Sequence, residues 1–265
     1  MQTELDKNLI KNSNNNSNKN NFNQASSFAN PNAGKNPETI RSMFSTVAKN
    51  YDKANSVLSI GIHHLWRDDL VAWAKPQKGQ NVLDCATGTG DLAIAFKKEV
   101  GVDGKVVGTD FCPEMLSYAP EKAKNQNLEI QFQIADVLKL PFADNSFDIS
   151  SISFGIRNVA DPAKGLSEMA RVVKSGGCVM VLEFGQMRVP LLNSLYNFYS
   201  TKVLPKIGGL ITGQKQAYEY LQTSSSQFPC RENFLELMKQ TNQFSKVEFK
   251  ALSFGIAYIY KGIVK

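Results

Sequence analysis

Between residues 81 and 183 the chain repeats one pattern: a short apolar run, a turn, a helical stretch and another apolar run. Strands are expected near 81–85, 105–109, 129–134, 147–152 and 178–183, with helices near 90–99, 113–124 and 161–173. Strands linked through helical crossovers pair in parallel, with helices on both faces. The pattern therefore predicts an α/β fold with a doubly wound sheet. "KVEFKALSFGIAYIYKGIVK" adds two strands joined around Ser253–Gly255, expected as an antiparallel C-terminal hairpin on a mostly parallel, seven-stranded sheet. With 265 residues in all, residues 37–265 suffice for one large domain with a full core.

Three segments depart from the repeat. "PETIRSMFSTVAKNYDKANSVLS" places Ile40, Met43, Phe44 and Val47 at helical spacing. With "HHLWRDDLVAWAK" it is expected to form an N-terminal helical lid over residues 37–75. "VPLLNSLYNFYSTKVLPKIGGLITG" is rich in Leu, Tyr and Phe until Pro205, Gly208 and Gly209 interrupt it. It lies in a helical insertion, residues 186–225, that either roofs a site or adds to the core. Residues 1–36 are an Asn-rich tail with almost nothing to bury, expected to be disordered. No Arg precedes Arg41 and no apolar signal region is present, unlike a mitochondrial or secretory presequence.

The net charge of +6 and pI of 9.0 favour anionic surroundings, but both signs are interspersed along the chain. That mixture argues against a nucleic-acid groove and is compatible with an acidic membrane surface. No apolar run approaches the ~18 residues of a membrane-spanning helix. Cys85, Cys112, Cys178 and Cys230 form no C-x-x-C pair, which argues against a disulfide framework or a zinc site and for a reducing, cytoplasmic setting. No metal is expected.

"VLDCATGTGD", residues 82–91, runs the first strand into Gly88-Thr89-Gly90. In open α/β sheets ligands bind beyond the carboxyl ends of the strands. A phosphate-binding Walker loop is excluded, because no Gly-Lys-Ser/Thr follows. Gly88, Gly90 and Ala93 satisfy a dinucleotide G-x-G-x-x-A pattern, with Asp110 where a ribose-binding acid belongs, so a nicotinamide oxidoreductase is the rival reading. Asp84 weighs against it, since a carboxylate four residues before Gly88 disfavours a pyrophosphate and favours an ammonium and a sulfonium. Asp110 suits ribose hydroxyls, and Asp136 with Val137 suits an adenine. Acids at three successive strand ends fit S-adenosylmethionine, which is cationic and carries no phosphate. The alternative for each acid is a helix or turn cap.

The chain resembles the class I, Rossmann-like S-adenosylmethionine methyltransferases. More narrowly it is similar to the quinone-biosynthesis C-methyltransferases, demethylmenaquinone methyltransferase and 2-polyprenyl-6-methoxy-benzoquinol methylase. The residues carrying this are "FSTVAKNYDKANSVLSIGIHHLW", "VLDCATGTGDLA", "ADVLKLPFADNSFDISSISFGIRNVADPAKGLSEMARVVKSGG", "VMVLEF" and "YSTKVLPKIGGLI". The resemblance implies cofactor contacts at Thr89, Asp110, Asp136–Val137 and Ser153. Thr87 stands where many relatives carry glycine, and the Asn-rich tail has no counterpart. "SFGIRN" replaces the N/D-P-P-Y motif of amino-methylating nucleic-acid enzymes, and no aromatic–basic platform for single strands is present.

The implied reaction moves a methyl group to a ring carbon ortho to a quinol hydroxyl. Deprotonating that hydroxyl, with a pKa of about 10, costs about 4 kcal/mol at pH 7, so a base or a cation is expected beside it. His63 and His64 in "GIHHLW", Arg157 and Asn158 after the fourth strand, and Tyr51 and Asp52 in "NYDKAN" are the candidates, and no single base is assigned. A prenyl tail holds such a substrate in the bilayer at about 0.8 kcal/mol per CH₂. Peripheral contact of the 190–211 segment with the inner membrane face follows as an expectation. The acceptor, demethylmenaquinol or the benzoquinol, and self-association into a homo-oligomer are left open.

Overall fold

The structure is a computed structural model that describes residues 36–187, 194 and 198–265. The expected disordered tail lies outside the described residues apart from Asn36, as do 188–193 and 195–197 of the insertion.

The apolar runs fold into β1 (Val82–Cys85), β2 (Val106–Asp110), β3 (Gln131–Ile134), β4 (Phe147–Ser153) and β5 (Val173–Phe184). The last two strands are β6 (Phe244–Leu252) and β7 (Ala257–Val264). They form one seven-stranded sheet in the order β3-β2-β1-β4-β5-β7-β6. β1 pairs in parallel with β2 and with β4, so strand order reverses at β1. β7 is antiparallel to both β5 and β6, and the hairpin inserts its final strand next to the core.

Alternation explains why this sheet is buried on both sides. Leu83, Cys85, Val179 and Val181 face one side, with Leu166 and Met169 of α7 (Pro162–Arg171) and Phe234 and Met238 of α10 (Glu232–Gln240). Val82, Cys178, Met180 and Leu182 face the other, against Trp66 and Leu70 of α3 (Ile62–Ala74) and Leu92 and Phe96 of α4 (Asp91–Val100). Packed two-sided cores of this kind contribute about 1.5–3 kcal/mol per large buried side chain, against the entropy of ordering them.

Two expected helices are broken. The N-terminal helix divides into α1 (Pro37–Val47), a 3₁₀ turn (Ala48–Asn50) and α2 (Tyr51–Leu58). Helix 113–124 divides into α5 (Pro113–Leu116) and α6 (Ala119–Lys124), because Pro120 starts a new first turn. The described part of the insertion contributes a π turn (Tyr199–Val203), α8 (Leu204–Thr212) and α9 (Lys215–Gln227). Apolar packing of Ala54 and Leu58 on Leu204 and Tyr218 joins it to α2.

Candidate active site

The loops leaving β1 to β4 converge on a cleft of about 780 Å³. Gly88, Asp110, Asp136, Val137, Ser153 and Asn158 line it, and Pro37, Phe44 and Tyr51 of the N-terminal helices roof it. Its lining holds two carboxylates and no Lys or Arg. Gly88 has φ +57°, and a Cβ there would lie 3.3 Å from Met115, so the loop needs its glycine. The Gly88 N–H donates to Asp110 Oδ2 at 2.8 Å, and the Cys112 N–H to Oδ1 at 2.9 Å. Asp110 is thus fixed by backbone donors while burial raises its pKa. Asp136 is exposed, accepts from the Leu138 N–H at 2.9 Å and presents its other oxygen. The Ser153 hydroxyl is buried without a protein partner, as a donor or acceptor awaiting a ligand would be.

Asp84 and Gly90 serve the loop from beneath. Asp84 is 1% exposed and accepts from Thr87 Oγ1 at 2.6 Å and Ser151 Oγ at 2.8 Å. Burial lifts its pKa to about 6, against the lowering effect of those hydroxyls. Thr87 therefore ties the turn to β1. Gly90, at φ +87°, caps α4 where a Cβ would press on Ala119 at 3.0 Å. Thr89 points to the N-terminal helices: its hydroxyl donates to Asp52 Oδ1 at 2.7 Å. Lys122 bonds Asp52 at 2.7 Å and also pairs with Asp91, which Arg67 holds at 3.0 Å. His63, His64 and Asp91 bring ligand-type atoms within 4.8 Å, but two cations already neutralise the Asp91 carboxylate.

Phe44, Tyr51 and Phe154 also line a second pocket, of about 1380 Å³ and largely apolar. Its walls come from α1, α2, α3, α8 and α9, with Trp66, Phe184, Leu204 and Tyr220 among them. Phe154 adopts φ +55°, costly for a bulky residue, and stacks on Phe184 at 4.4 Å between centroids. Arg157 is 5% exposed at the pocket wall. Its Nη1 donates to Glu183 Oε1 at 2.8 Å and to the Phe154 carbonyl at 2.6 Å, and its guanidinium lies 5.5 Å from the Phe184 ring centre. Arg157 Nε is buried with no protein partner. His63 lines the same pocket, its Nδ1 2.6 Å from Ser59 Oγ. Burial, then Arg67, lowers its pKa to about 4, so it is neutral at pH 7. Tyr51 has its pKa raised by burial and stays protonated. Asn158 Oδ1 accepts from Tyr220 at 3.1 Å, linking the two pockets.

Residues 32–264 match the ubiE/COQ5 methyltransferase family. The Ubiquinone/menaquinone biosynthesis C-methyltransferase UbiE of Bdellovibrio bacteriovorus is 66% identical over 230 residues, covering 87% of this chain and 97% of that protein. The chain belongs to the ubiE/COQ5 methyltransferase family. The UbiE protein of Citrifermentans bemidjiense is 43% identical over 85% of this chain and 96% of its own length. A SAM-dependent methyltransferase from Thermotoga maritima superposes with TM-score 0.60 at 19% identity, covering 84% of this chain and 98% of that one, which shows the fold.

This ubiE/COQ5 methyltransferase takes S-adenosylmethionine as co-substrate, and the first cleft suits it. A site with two acids and no cation favours a sulfonium over a pyrophosphate, and the Ser153 hydroxyl beside them is buried without a protein partner. When bound, the co-substrate supplies an electrophilic methyl group. Of the residues expected to bind it, Gly88, Asp110, Asp136, Val137 and Ser153 meet in the cleft; Asp84, Thr89 and Gly90 lie outside its lining. Among the acceptor-side candidates, Tyr51 belongs to both pockets, Asn158 to the first, and Arg157 and His63 to the second. Exposed His64 belongs to neither. Glu183 is the residue that sequence reasoning missed. Its position at the carboxyl end of β5, in "LEF", is the same signal that singled out Asp84, Asp110 and Asp136.

Proposed function

We propose that the chain methylates a ring carbon of a prenylated quinol, converting demethylmenaquinol to menaquinol with release of S-adenosylhomocysteine. The observation that carries this reading is the large apolar pocket that shares Phe44, Tyr51 and Phe154 with the donor cleft and has a buried cation in its wall. Arg157 Nε is free to donate to the oxygen of a bound quinol. As the hydroxyl loses its proton, the guanidinium stabilises the oxyanion, and electron density rises at the ortho carbon. That carbon forms the new C–C bond as the sulfur–methyl bond breaks, and loss of the ring proton restores the aromatic ring. Glu183 holds Arg157 in place, and the Phe154–Phe184 stack gives an aromatic ring a flat neighbour. Gly88, Asp110, Asp136, Val137 and Ser153 bind the donor, while Asp84, Thr89 and Gly90 shape the loop that presents it. Tyr51 and Asn158 position the acceptor at the junction.

Methylation of 2-polyprenyl-6-methoxy-benzoquinol is the second reading, favoured because the relatives' names carry both quinones. Incubation with labelled donor and each reduced quinol separately, followed by mass spectrometry, tests both. Label in the naphthoquinol product supports the first, label in the benzoquinol product alone supports the second, and label in neither refutes the proposal. No described helix is long and apolar enough to cross a membrane.

A further inference from the structure

We propose that His63 selects the reduced form of the acceptor, its Nε2 accepting a hydrogen bond from the quinol hydroxyl that Arg157 does not face; this rests on the reading of a quinol acceptor. Ser59 follows α2, and two left-handed residues, Ile60 at φ +51° and Gly61 at φ +75°, turn the chain into α3. His63, in the first turn of α3, comes to lie with Nδ1 2.6 Å from Ser59 Oγ. That hydroxyl has one proton, and it donates it to the Asn55 carbonyl at 2.7 Å. A lone pair on Nδ1 would face a lone pair on Oγ, so Nδ1 must be the donor. His63 is neutral at pH 7 and holds a single ring proton. With that proton on Nδ1, Nε2 is left a pure acceptor.

Nε2 has no hydrogen-bond partner among the described residues. The imidazole is 5% exposed, lies 3.9 Å from the His64 ring and lines the acceptor pocket. Other polar side chains of that wall are turned to the protein. Tyr199 donates to the Leu58 carbonyl at 2.6 Å and Tyr220 to Asn158 at 3.1 Å, while Tyr218 pairs with Thr212, Tyr51 with Asn55 and Arg67 with Asp91. His63 Nε2 and Arg157 Nε thus give one apolar pocket an unpaired acceptor and an unpaired donor. A quinol satisfies both, because one of its oxygens can accept while the other donates. A quinone has two carbonyl oxygens and no O–H, so it leaves the Nε2 lone pair buried without a donor. With a pKa of about 4, against about 10 for the hydroxyl, Nε2 orients that O–H and does not remove its proton.

Anaerobic calorimetry of the full chain with S-adenosylhomocysteine bound, which prevents turnover, compares short-tailed demethylmenaquinol with its oxidised quinone. The wild type is expected to hold the quinol at least about tenfold more tightly. His63→Phe should bind the quinol about tenfold more weakly and erase the preference, with quinone and S-adenosylhomocysteine affinities unmoved. His63→Gln, whose amide oxygen can replace the Nε2 lone pair, should keep the preference within about threefold of wild type. Ser59→Ala removes the acceptor of the Nδ1 proton, frees the other tautomer and should reduce the preference about threefold. If His63→Phe does not fold, as loss of S-adenosylhomocysteine binding would reveal, Ser59→Ala decides. Equal losses for quinol and quinone in His63→Phe would make the imidazole a steric wall and overturn the proposal. A preference left intact by His63→Phe or, where that variant is unfolded, by Ser59→Ala would overturn it too. A preference that depends on His63, in a wild type that methylates neither quinol, would support the selection and refute the substrate reading. Quinol methylation by a wild type with no preference would refute the selection alone.

Discussion

The donor cleft and the acceptor pocket share three residues but are built in different ways. The donor cleft is made from the ends of consecutive strands, where parallel register at β1, β2 and β4 forces Gly88, Asp110 and Ser153 together. The acceptor pocket is made from helices far apart in sequence, brought together by side-chain packing such as Leu58 on Leu204. One is fixed by the backbone and the other by contacts. The donor site therefore tolerates little change in its loops, and the acceptor site is the part that can vary with the substrate.

The comparison breaks most sharply at Arg157. Arg157→Ala should lower kcat by about 10²–10³-fold while leaving donor affinity unchanged, as measured by calorimetry. It also leaves Glu183 buried and unpaired, at a cost of about 3–5 kcal/mol in stability, so rates must be corrected for the folded fraction. An equal loss of donor affinity would mean that the two pockets are not separable. Asp110→Asn is the complementary test. Donor affinity should fall about 10–100-fold, since a charge-assisted contact is lost and the Gly88 and Cys112 N–H groups lose a charged acceptor, with the quinol KM unmoved. Ser153→Ala removes one hydroxyl and should weaken donor binding only about 2–10-fold.

The smallest effect tests the acceptor wall by pH. His63 has a folded pKa near 4, below the ordinary 6.5, so the unfolded chain binds more protons between those values. Its contribution to stability is whole above pH 6.5 and is lost as pH falls toward 4. His63→Gln should flatten that part of the denaturation-midpoint profile. An unchanged profile would place the histidine in water instead of the wall.

The same contrast explains what was legible in the sequence. Strand ends carry their own signals: Asp110 and Asp136 each follow an apolar run, and the alternation of strands and helices fixed the parallel topology. The hairpin was legible for the same reason, since Ser253–Gly255 separates two β-rich runs. What the sequence concealed depends on partners distant in the chain. Asp84 reads as a ligand contact but lies beneath the loop, because Thr87 and Ser151 reach its carboxylate first. Thr89 turns to Asp52, a pairing across 37 positions that no local pattern reports. Arg157 was readable as a cation following the fourth strand, but its clamp was not. The acid opposite it lies on β5, set there by pairing of β4 with β5.

The central claim is that the two pockets meet so that a methyl group passes to carbon beside a phenolate held by Arg157. A [¹³C]methyl donor, short-tailed demethylmenaquinol and NMR of the product test it directly. The account predicts a labelled methyl bonded to the ring carbon ortho to the hydroxyl, formed by the wild type and nearly absent with Arg157→Ala. A labelled methyl ether on the quinol oxygen, or ring methylation undiminished by that substitution, would contradict it.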